Sequence, residues 1–198
     1  MDSALTYAVG TAVIVACVVA TTKYLTQKAS KPASDHPLTV RQRDLIKTSW
    51  AAAEKLGAET VGVLLFKHIF EAAPGASGLF SSMKGFDPAS DLSKNPALVK
   101  HAAGVVTTVG VAIGLLDDLE KLVPILKDLG GRHCVYNVKP EHYPIVGAAF
   151  LQTLQAGLGK AYTEEVAAAY TAMWGVVEAT MLAGYPPKKP ADAYPVKS

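Results

Sequence analysis

Five histidines are the residues in this sequence best suited to chemistry: His36, His68, His101, His133 and His142. An imidazole can transfer a proton near neutral pH or bind a metal ion through a ring nitrogen. None of the five stands in a zinc-binding arrangement such as His-Glu-x-x-His, and there are no paired Cys-x-x-Cys motifs. No Ser, Cys or Asp occupies a recognisable nucleophile turn. The histidines must therefore be interpreted from their positions in the predicted helices.

His101 and His133 are the informative pair. His101 lies in a long predicted helix, and the residues one and two turns further on share its face: Val105, Thr108, Val109 and Ala112. Its imidazole is thus directed at an apolar wall. Such a histidine is either a packed core residue or a ligand. His133 follows 129–132 near the end of a short predicted helix, and it is equally ambiguous when taken alone.

The elements that position these histidines are all predicted to be helices, because apolar residues recur at three- and four-residue spacing. A capping box at Thr39–Gln42, the Asn95–Pro96 pair and Thr163 mark three helix starts. A Gly-, Ser- and Pro-rich loop is expected from Pro74 to about residue 94. The predicted helices cover about 39–56, 61–73, 95–116, 117–129, 140–157 and 163–184, with the fourth broken near Pro124 and closed by Gly130–Gly131. An all-α domain over 39–185 follows.

The N-terminal segment has a different character, because residues 3–22 contain no Asp, Glu, Lys, Arg or His. As a helix, Ala4–Thr22 would reach about 28 Å, close to the thickness of a bilayer core. Three lysines follow it within ten residues, which favours a cytoplasmic position for the body. We therefore expect a single-pass transmembrane anchor at 1–22, the alternatives being a cleaved signal peptide or a buried or surface helix. Residues 23–38 are expected to be a linker and 186–198 a flexible tail.

Two patterns bear on partners. Alanines at every fourth position from Ala4 to Ala20 would form a stripe of small side chains, which predicts a homodimer through the anchor, although alanine-rich composition alone also produces such stripes. Residues 39–185 hold 13 Lys or Arg against 14 Asp or Glu, a net charge of −1, so nucleic acid is not an expected partner. Two cysteines, Cys17 and Cys134, exclude a disulfide scaffold and favour a reducing compartment.

The order and spacing of features over 39–185 resemble the globin family. Trp50 matches a first-helix tryptophan, and Pro74 matches the proline that begins the third helix of globins. His101 matches the distal histidine, and 129–133 resembles the turn that carries the proximal histidine. The segment 138–147 is similar to the start of the seventh helix in flavohaemoglobins and single-domain bacterial globins. The resemblance implies a globin fold of about eight helices around a haem, preceded here by the transmembrane helix.

The resemblance also implies the cofactor, haem b (iron protoporphyrin IX), and its ligands. His133 would be the proximal iron ligand, and His101 would be the distal residue and a possible sixth ligand. The other residues that the resemblance assigns to the pocket are Phe66, Phe80, Val105, Val138 and Tyr143. Cys134, next to the ligand, is expected to be a packed residue rather than a redox switch.

Several positions depart from flavohaemoglobins that oxidise nitric oxide. Those proteins carry a tyrosine and a glutamine on the distal side, where this chain has Phe66 and His101, a combination similar to neuroglobin-type proteins. Tyr143 fits the tyrosine of their proximal triad, but the glutamate of that triad aligns with about Tyr185. Gly104 stands where many globins place a basic residue towards a haem propionate. The sequence does not choose among the substitutes Arg132, Lys139, Tyr136 and His142.

Two functions remain open on these grounds. The first is reversible binding of dioxygen, and of carbon monoxide or nitric oxide, at a membrane surface for storage, delivery or sensing. The second is a membrane-tethered redox role, as a nitric oxide dioxygenase, nitrite reductase or electron carrier, with a separate membrane or cytosolic reductase. The pocket residues favour the first, and the anchor favours the second.

Overall fold

The computed structural model describes residues 36–187. Over that range the chain forms six α-helices, five short 3₁₀-helices and no β-strand. The helices are α1 (Val40–Glu54), α2 (Ala58–Ala72), α3 (Pro96–Gly114), α4 (Leu119–Val135), α5 (Tyr143–Leu158) and α6 (Glu164–Leu182). The predicted anchor at 1–22, most of the predicted linker and residues 188–198 lie outside the described residues.

The predicted helix starts are present, and each has a local cause. At α1 the Thr39 hydroxyl accepts a hydrogen bond from the Gln42 N–H at 3.2 Å, and the Gln42 side chain accepts one from the Thr39 N–H at 2.8 Å. Asn95 caps α3 by accepting from Leu98 N–H at 3.1 Å. Its amide also donates to the Ser82 carbonyl at 2.7 Å, which ties α3 to the loop before it.

The segment between α2 and α3 contains less helix than a fold of about eight helices requires. It forms three 3₁₀-helices, Pro74–Leu79, Ser81–Met83 and Leu92–Lys94. A longer α-helix is disfavoured here, because the prolines lack a backbone N–H, the serines offer competing local hydrogen bonds, and the glycines lose more backbone entropy than other residues. Phe80 lies between the first two of these turns in an extended conformation, and it directs its ring into the core.

Helix α4 corrects one prediction. We expected a break near Pro124 and an end at Gly130–Gly131, but the helix continues from Leu119 to Val135 with all three residues inside it. Pro124 lies in the second turn and removes one backbone hydrogen bond, which the surrounding packing offsets. The glycines serve helix packing, since a Cβ on Gly130 would lie 1.9 Å from the Met181 carbonyl oxygen. His133 therefore lies in the last turn of a continuous helix.

Helices α2 and α3 cross at a point where their backbones touch. A Cβ on Gly62 would lie 2.6 Å from both the carbonyl carbon and oxygen of Ala102, so only glycine fits there. Ala102 is completely buried and directly follows His101. Close contact at this crossing therefore sets the position of the helix that carries His101.

Helix α3 is, among the described helices, the one that is long and apolar enough to cross a membrane, with a mean hydropathy of 1.5. In this structure it belongs to the bundle, because it packs against α2 and buries Leu98, Ala102, Val106 and Ile113. A helix in a protein core meets the same length and composition criteria.

The folded body begins before residue 39. Leu38, at the end of the predicted linker, is only 1% exposed and belongs to the core. The Nε2 atom of His36 lies 2.6 Å from the carbonyl oxygen of Leu116, just beyond the end of α3. Nearby, Arg43 donates to the Leu38 carbonyl and to Asp117. The chain thus enters the body at a defined point beside the α3–α4 turn.

Candidate functional site

The His101 imidazole projects from α3 into a cluster of aromatic rings. Its ring centroid lies 5.5 Å from that of Phe66 and 5.6 Å from that of Phe80. Phe70 completes this aromatic cluster, at 5.8 Å from Phe66 and 5.9 Å from Phe80. The rings meet edge to face or tilted, the geometry in which aromatic side chains attract one another. The cluster contacts the ring of His101, and the residue as a whole is exposed.

His133 is oriented by its own helix. Its Nδ1 lies 2.8 Å from the carbonyl oxygen of Leu129, one turn earlier in α4. Donation from Nδ1–H to that carbonyl fixes the tautomer and leaves the lone pair on Nε2, which is the nitrogen that a metal would take. This is the arrangement of backbone support commonly found behind a ligating histidine.

The turn after α4 holds the His133 backbone as well. The Val138 N–H donates to the His133 carbonyl at 3.0 Å, and the Asn137 N–H donates to the Cys134 carbonyl at 3.0 Å. Asn137 has a φ of 63°, so these bonds form a Schellman motif with asparagine in the left-handed position. The motif ends the helix sharply and brings Val138 back towards the core, where it packs.

Burial lowers the pKa of both His101 and His133 below the usual value for histidine. For His133 burial is the largest cause; the bond to Leu129 raises the pKa, and the nearby Arg132 and His101 lower it. Both are therefore neutral at pH 7, the form that offers a lone pair to a metal.

Tyr143 and Tyr185 form a pair of phenols below His133. The Tyr185 hydroxyl donates to the Val138 carbonyl at 2.9 Å and lies 3.2 Å from the Tyr143 hydroxyl. Because the single proton of Tyr185 is used on Val138, Tyr143 donates to Tyr185. Burial, this hydrogen bond and the nearby Glu178 raise the pKa of Tyr143 well above its usual range. Tyr185 thus occupies the place beside Tyr143 where the sequence comparison expected a carboxylate.

The remaining predicted residues fall at the borders of this region. Val105 and Val138 are partly buried and pack against the core. Of the four suggested propionate partners, Arg132 pairs with Asp128 at 3.0 Å, and the His142 ring accepts from the Lys139 N–H at 3.2 Å. Tyr136 is 63% exposed. The structure places all four after or at the end of α4 and does not select one.

Cys134 lies beside His133 but is 1% exposed. Burial raises the pKa of its thiol, which keeps it protonated and unreactive. The structure thus gives this residue a packing environment.

Two contributors to the site escaped the sequence analysis. Phe70 belongs to the aromatic cluster, and its spacing of four residues from Phe66 is the signal that would have indicated a shared helix face. The Leu129 carbonyl, which orients His133, carries no side-chain signal. It would have been found only by continuing α4 through Gly130 and Gly131.

These features fit a flat, largely apolar metal cofactor held between two helices. His133 offers Nε2 from one side. Neither ring nitrogen of His101 has a hydrogen-bond partner shown among residues 36–187, so both are available on the other side. Phe66 and Phe80 lie against His101, and Val138 packs beside the turn that follows His133. A helical fold with one neutral histidine on each of α3 and α4 is typical of the class of helical haem-binding proteins.

Comparison with known proteins agrees with this class. The family model described as Globin matches residues 63–181. Neuroglobin of Tetraodon nigroviridis is 34% identical over 150 residues, which cover 75% of this chain and 92% of that protein. Neuroglobin-2 of Oncorhynchus mykiss is 33% identical over the same shares. A crystal structure described as a hexacoordinated heme protein from an anhydrobiotic tardigrade shares the fold, with a TM-score of 0.70 and 22% identity over 79% of this chain and 99% of that one.

The chain belongs to the globin family. Membership confirms the expectation of an all-helical globin fold and implies a haem cofactor and the binding of diatomic gases.

Proposed function

We propose that this protein binds haem b through His133 and reversibly binds dioxygen, carbon monoxide or nitric oxide on the side facing His101. The observation that carries the proposal is the pair of neutral imidazoles on α3 and α4, with His133 Nδ1 engaged by Leu129. Haem iron supplies a site that binds such gases when one axial position can open.

The residues around His101 suit that role. Phe66, Phe80 and Val105 form apolar walls that limit the access of water, which slows oxidation of the iron. A neutral His101 can donate a hydrogen bond to a bound dioxygen through one ring nitrogen. The pocket therefore combines exclusion of water with one polar contact.

We further propose that His101 serves as the sixth iron ligand when no gas is bound. Both of its ring nitrogens lack a hydrogen-bond partner among the described residues, so ligation would break no bond shown in the structure. A relative in fold is described as a hexacoordinated heme protein, which supports the same arrangement here. A gas would then bind only after His101 leaves the iron.

Absorption spectra of the purified ferrous protein with and without carbon monoxide test both proposals. We expect a Soret band and, without gas, sharp split visible bands that indicate two histidine ligands. A single broad visible band would contradict ligation by His101. Absence of a Soret band would overturn the haem assignment.

Variants assign the two ligands. His133→Ala should abolish normal haem ligation, whereas His101→Leu should keep the haem and raise the association rate of carbon monoxide. His68→Gln serves as the matched control, since His68 is a buried histidine on α2 outside the pocket. An association rate in His101→Leu equal to that of the wild type would contradict closure of the site by His101.

We propose a location at a membrane, with residues 1–22 as a single-pass anchor and the globin domain facing the cytoplasm. The support is the absence of charge from 3 to 22 and the three lysines that follow. Ile14→Arg in the full chain should release the protein from membranes, because an arginine near the centre of a span costs about 2.5–3.5 kcal/mol on insertion scales. Thr26→Arg in the linker is the control. Protection of the globin domain from protease in sealed vesicles whose cytoplasmic face is outward would contradict the proposed orientation.

The stripe of alanines supports a further proposal, a homodimer formed by the anchors. Replacement of Ala12 and Ala16 by isoleucine would keep the segment apolar but block a close approach of two helices. We expect association in a membrane two-hybrid assay to fall. Unchanged association would show that the stripe has no such role.

An electron-carrier or enzymatic role in nitric oxide or nitrite chemistry is the second candidate. It is favoured by the availability of His101 as a second axial ligand, because iron held by two histidines can exchange electrons without opening a site. It requires an external reductase, in the membrane or the cytosol. Reduction of the ferric protein by membrane fractions with NADH, faster for the full chain than for Ile14→Arg, would favour it over storage, delivery or sensing.

A further inference from the structure

The helix that carries His133 is in direct backbone contact with the end of α6. A Cβ on Gly130 would lie 1.9 Å from the Met181 carbonyl oxygen. A Cβ on Gly184 would lie 1.9 Å from the Lys127 carbonyl oxygen. Real Cβ atoms do not approach other atoms so closely, so both positions accept glycine alone unless a backbone moves.

These two contacts are reciprocal. Lys127 and Gly130 are three residues apart and share one face of α4. Met181 lies in the last turn of α6 and Gly184 in the turn directly after it, so each side supplies one glycine and one carbonyl to the same interface. We name the contact of Lys127, Gly130, Met181 and Gly184 the glycine clasp.

The glycine clasp lies one turn before the candidate iron ligand. His133 follows Gly130 by three residues, and Leu129, whose carbonyl orients the imidazole, directly precedes Gly130. Any displacement of α4 at Gly130 therefore moves both the ligand and the carbonyl that orients it. Packed backbones at this distance resist such displacement, because no flexible side chain lies between them.

We propose that Gly130 and Gly184 are positioning residues that set how far His133 projects towards the iron. The inference rests on the proposed ligation of haem by His133. Through that position the clasp controls the strength of the proximal bond and, with it, the balance between His101 and a gas on the opposite side.

The test compares Gly130→Ala, Gly184→Ala and Gly131→Ala with the wild type and with Gly175→Ala. A Cβ on Gly131 would lie 3.2 Å from the Gly184 carbonyl oxygen, a tight but tolerable contact, so this variant should give a smaller effect. Gly175 lies in α6 with nothing within 4 Å of such a Cβ, which makes it the matched control. If Gly130→Ala does not fold, Gly184→Ala and Gly131→Ala still test the proposal. Gly184→Ala changes the turn after α6 and leaves the sequence of α4 unchanged.

Amide hydrogen exchange of α4 in the haem-free full chain is the first measurement. Exchange should rise by on the order of tenfold in the two clasp variants, the fold-change that corresponds to about 1.4 kcal/mol of overpacking, and should not change in Gly175→Ala. Unchanged exchange in α4 would overturn the clasp.

The iron–histidine stretching band is the second measurement, made by resonance Raman on the ferrous protein in a His101→Leu background, where His133 is the one remaining axial histidine. We expect it to shift in Gly130→Ala and Gly184→Ala and to stay in place in Gly175→Ala. Faster exchange with an unshifted band would mean that the clasp only stabilises the fold, and would overturn the positioning role. A wild-type chain without a Soret band would instead overturn the proposed function, and the positioning role with it.

Discussion

At the scale of single residues, His68 shows how burial can dominate the pKa of a histidine in this protein. It is 8% exposed between α2 and α5, and its Nδ1 lies 2.9 Å from the Thr153 hydroxyl. That hydroxyl donates to the Ala149 carbonyl, so His68 is the donor in its bond with Thr153. Burial is the main cause that lowers the pKa of His68; Glu71 opposes it and Lys67 adds to it.

This environment predicts a pH-dependent stability. The folded-state pKa of His68 lies below its unfolded value of about 6.5, so the folded chain binds fewer protons in the window below pH 6.5. The contribution of His68 is complete above that pH and is lost as the pH falls towards the folded-state pKa, at no more than about 1.4 kcal/mol per pH unit. Urea unfolding of haem-free wild type and His68→Gln from pH 7.5 to 5 should show the wild type losing more stability.

Comparison of those two proteins isolates His68, because His101 and His133 are present in both. A difference in the free energy of unfolding that does not vary between pH 7.5 and 5 would contradict the prediction.

Part of the aromatic cluster around His101 was identifiable from the sequence. His101 and Val105 share a face through helical periodicity alone, whereas Phe66, Phe80 and His133 were assigned by the resemblance to globins. Phe70 was missed although its spacing from Phe66 was visible. Tyr185 was noted only as a departure, because a hydroxyl reaching across from the end of α6 to Tyr143 depends on contacts distant in sequence.

At the scale of elements, glycine contacts fix the positions of α3, which carries His101, and α4, which carries His133. Gly62 brings α2 onto α3 beside His101, and Gly130 brings α4 onto the end of α6 beside His133. In each case the backbones of two helices are in contact, so the distance between the helices depends on the absence of a side chain at the glycine.

Gly62→Val should therefore be strongly destabilising. The added side chain would overlap the Ala102 backbone, and overpacking of this kind costs about 1–3 kcal/mol. Thermal unfolding of the variant measures this loss as a lower Tm. Gly114→Ala on α3, where nothing lies within 4 Å of a Cβ, is the control and should be neutral or slightly stabilising. Equal Tm values for the two variants would contradict the role of the crossing.

The cap of α1 supports a second prediction at this scale. Thr39→Ala removes the side-chain acceptor for the Gln42 N–H and should lower the free energy of unfolding by about 1 kcal/mol. Thr39→Ser keeps the hydroxyl and should restore most of it, as measured by urea unfolding. A Thr39→Ser variant as unstable as Thr39→Ala would argue against the capping role.

Helix starts were predictable and some helix ends were not, for a physical reason. Thr39, Asn95 and Thr163 cap by short local hydrogen bonds that their own side chains provide. Gly130 and Gly131 were taken as a helix end because glycine weakens helices locally, but the contact that requires glycine at 130 comes from Met181, fifty-one residues away. Only a three-dimensional contact shows whether a glycine ends a helix or allows two helices to pack closely.

At the scale of the whole molecule, the chain has two separate apolar regions. The hydrophobic residues of 39–185 fill a helical core, whereas the uncharged segment 3–22 lies outside the described residues. With that segment as the proposed anchor, attachment to membranes rests on the hydrophobic effect and depends little on salt.

The full chain should therefore stay with membranes through a wash in 1 M NaCl and be released by detergent. Screening at that ionic strength reduces electrostatic attraction between the linker lysines and lipids to a range of about 3 Å, but it leaves apolar burial intact. Sedimentation with immunoblotting measures the distribution. Release by salt alone would indicate a peripheral, charge-driven attachment.

The contact between His36 and the Leu116 carbonyl limits how far the globin domain can lie from the proposed anchor. It places residue 36 against the folded body, so 13 residues separate position 22 from the body. Fully extended, they span at most about 45 Å. With the proposed anchor in the bilayer, the globin domain would stay within that distance of the membrane surface. Partners confined to the same membrane would then meet it at a higher local concentration than in bulk solution.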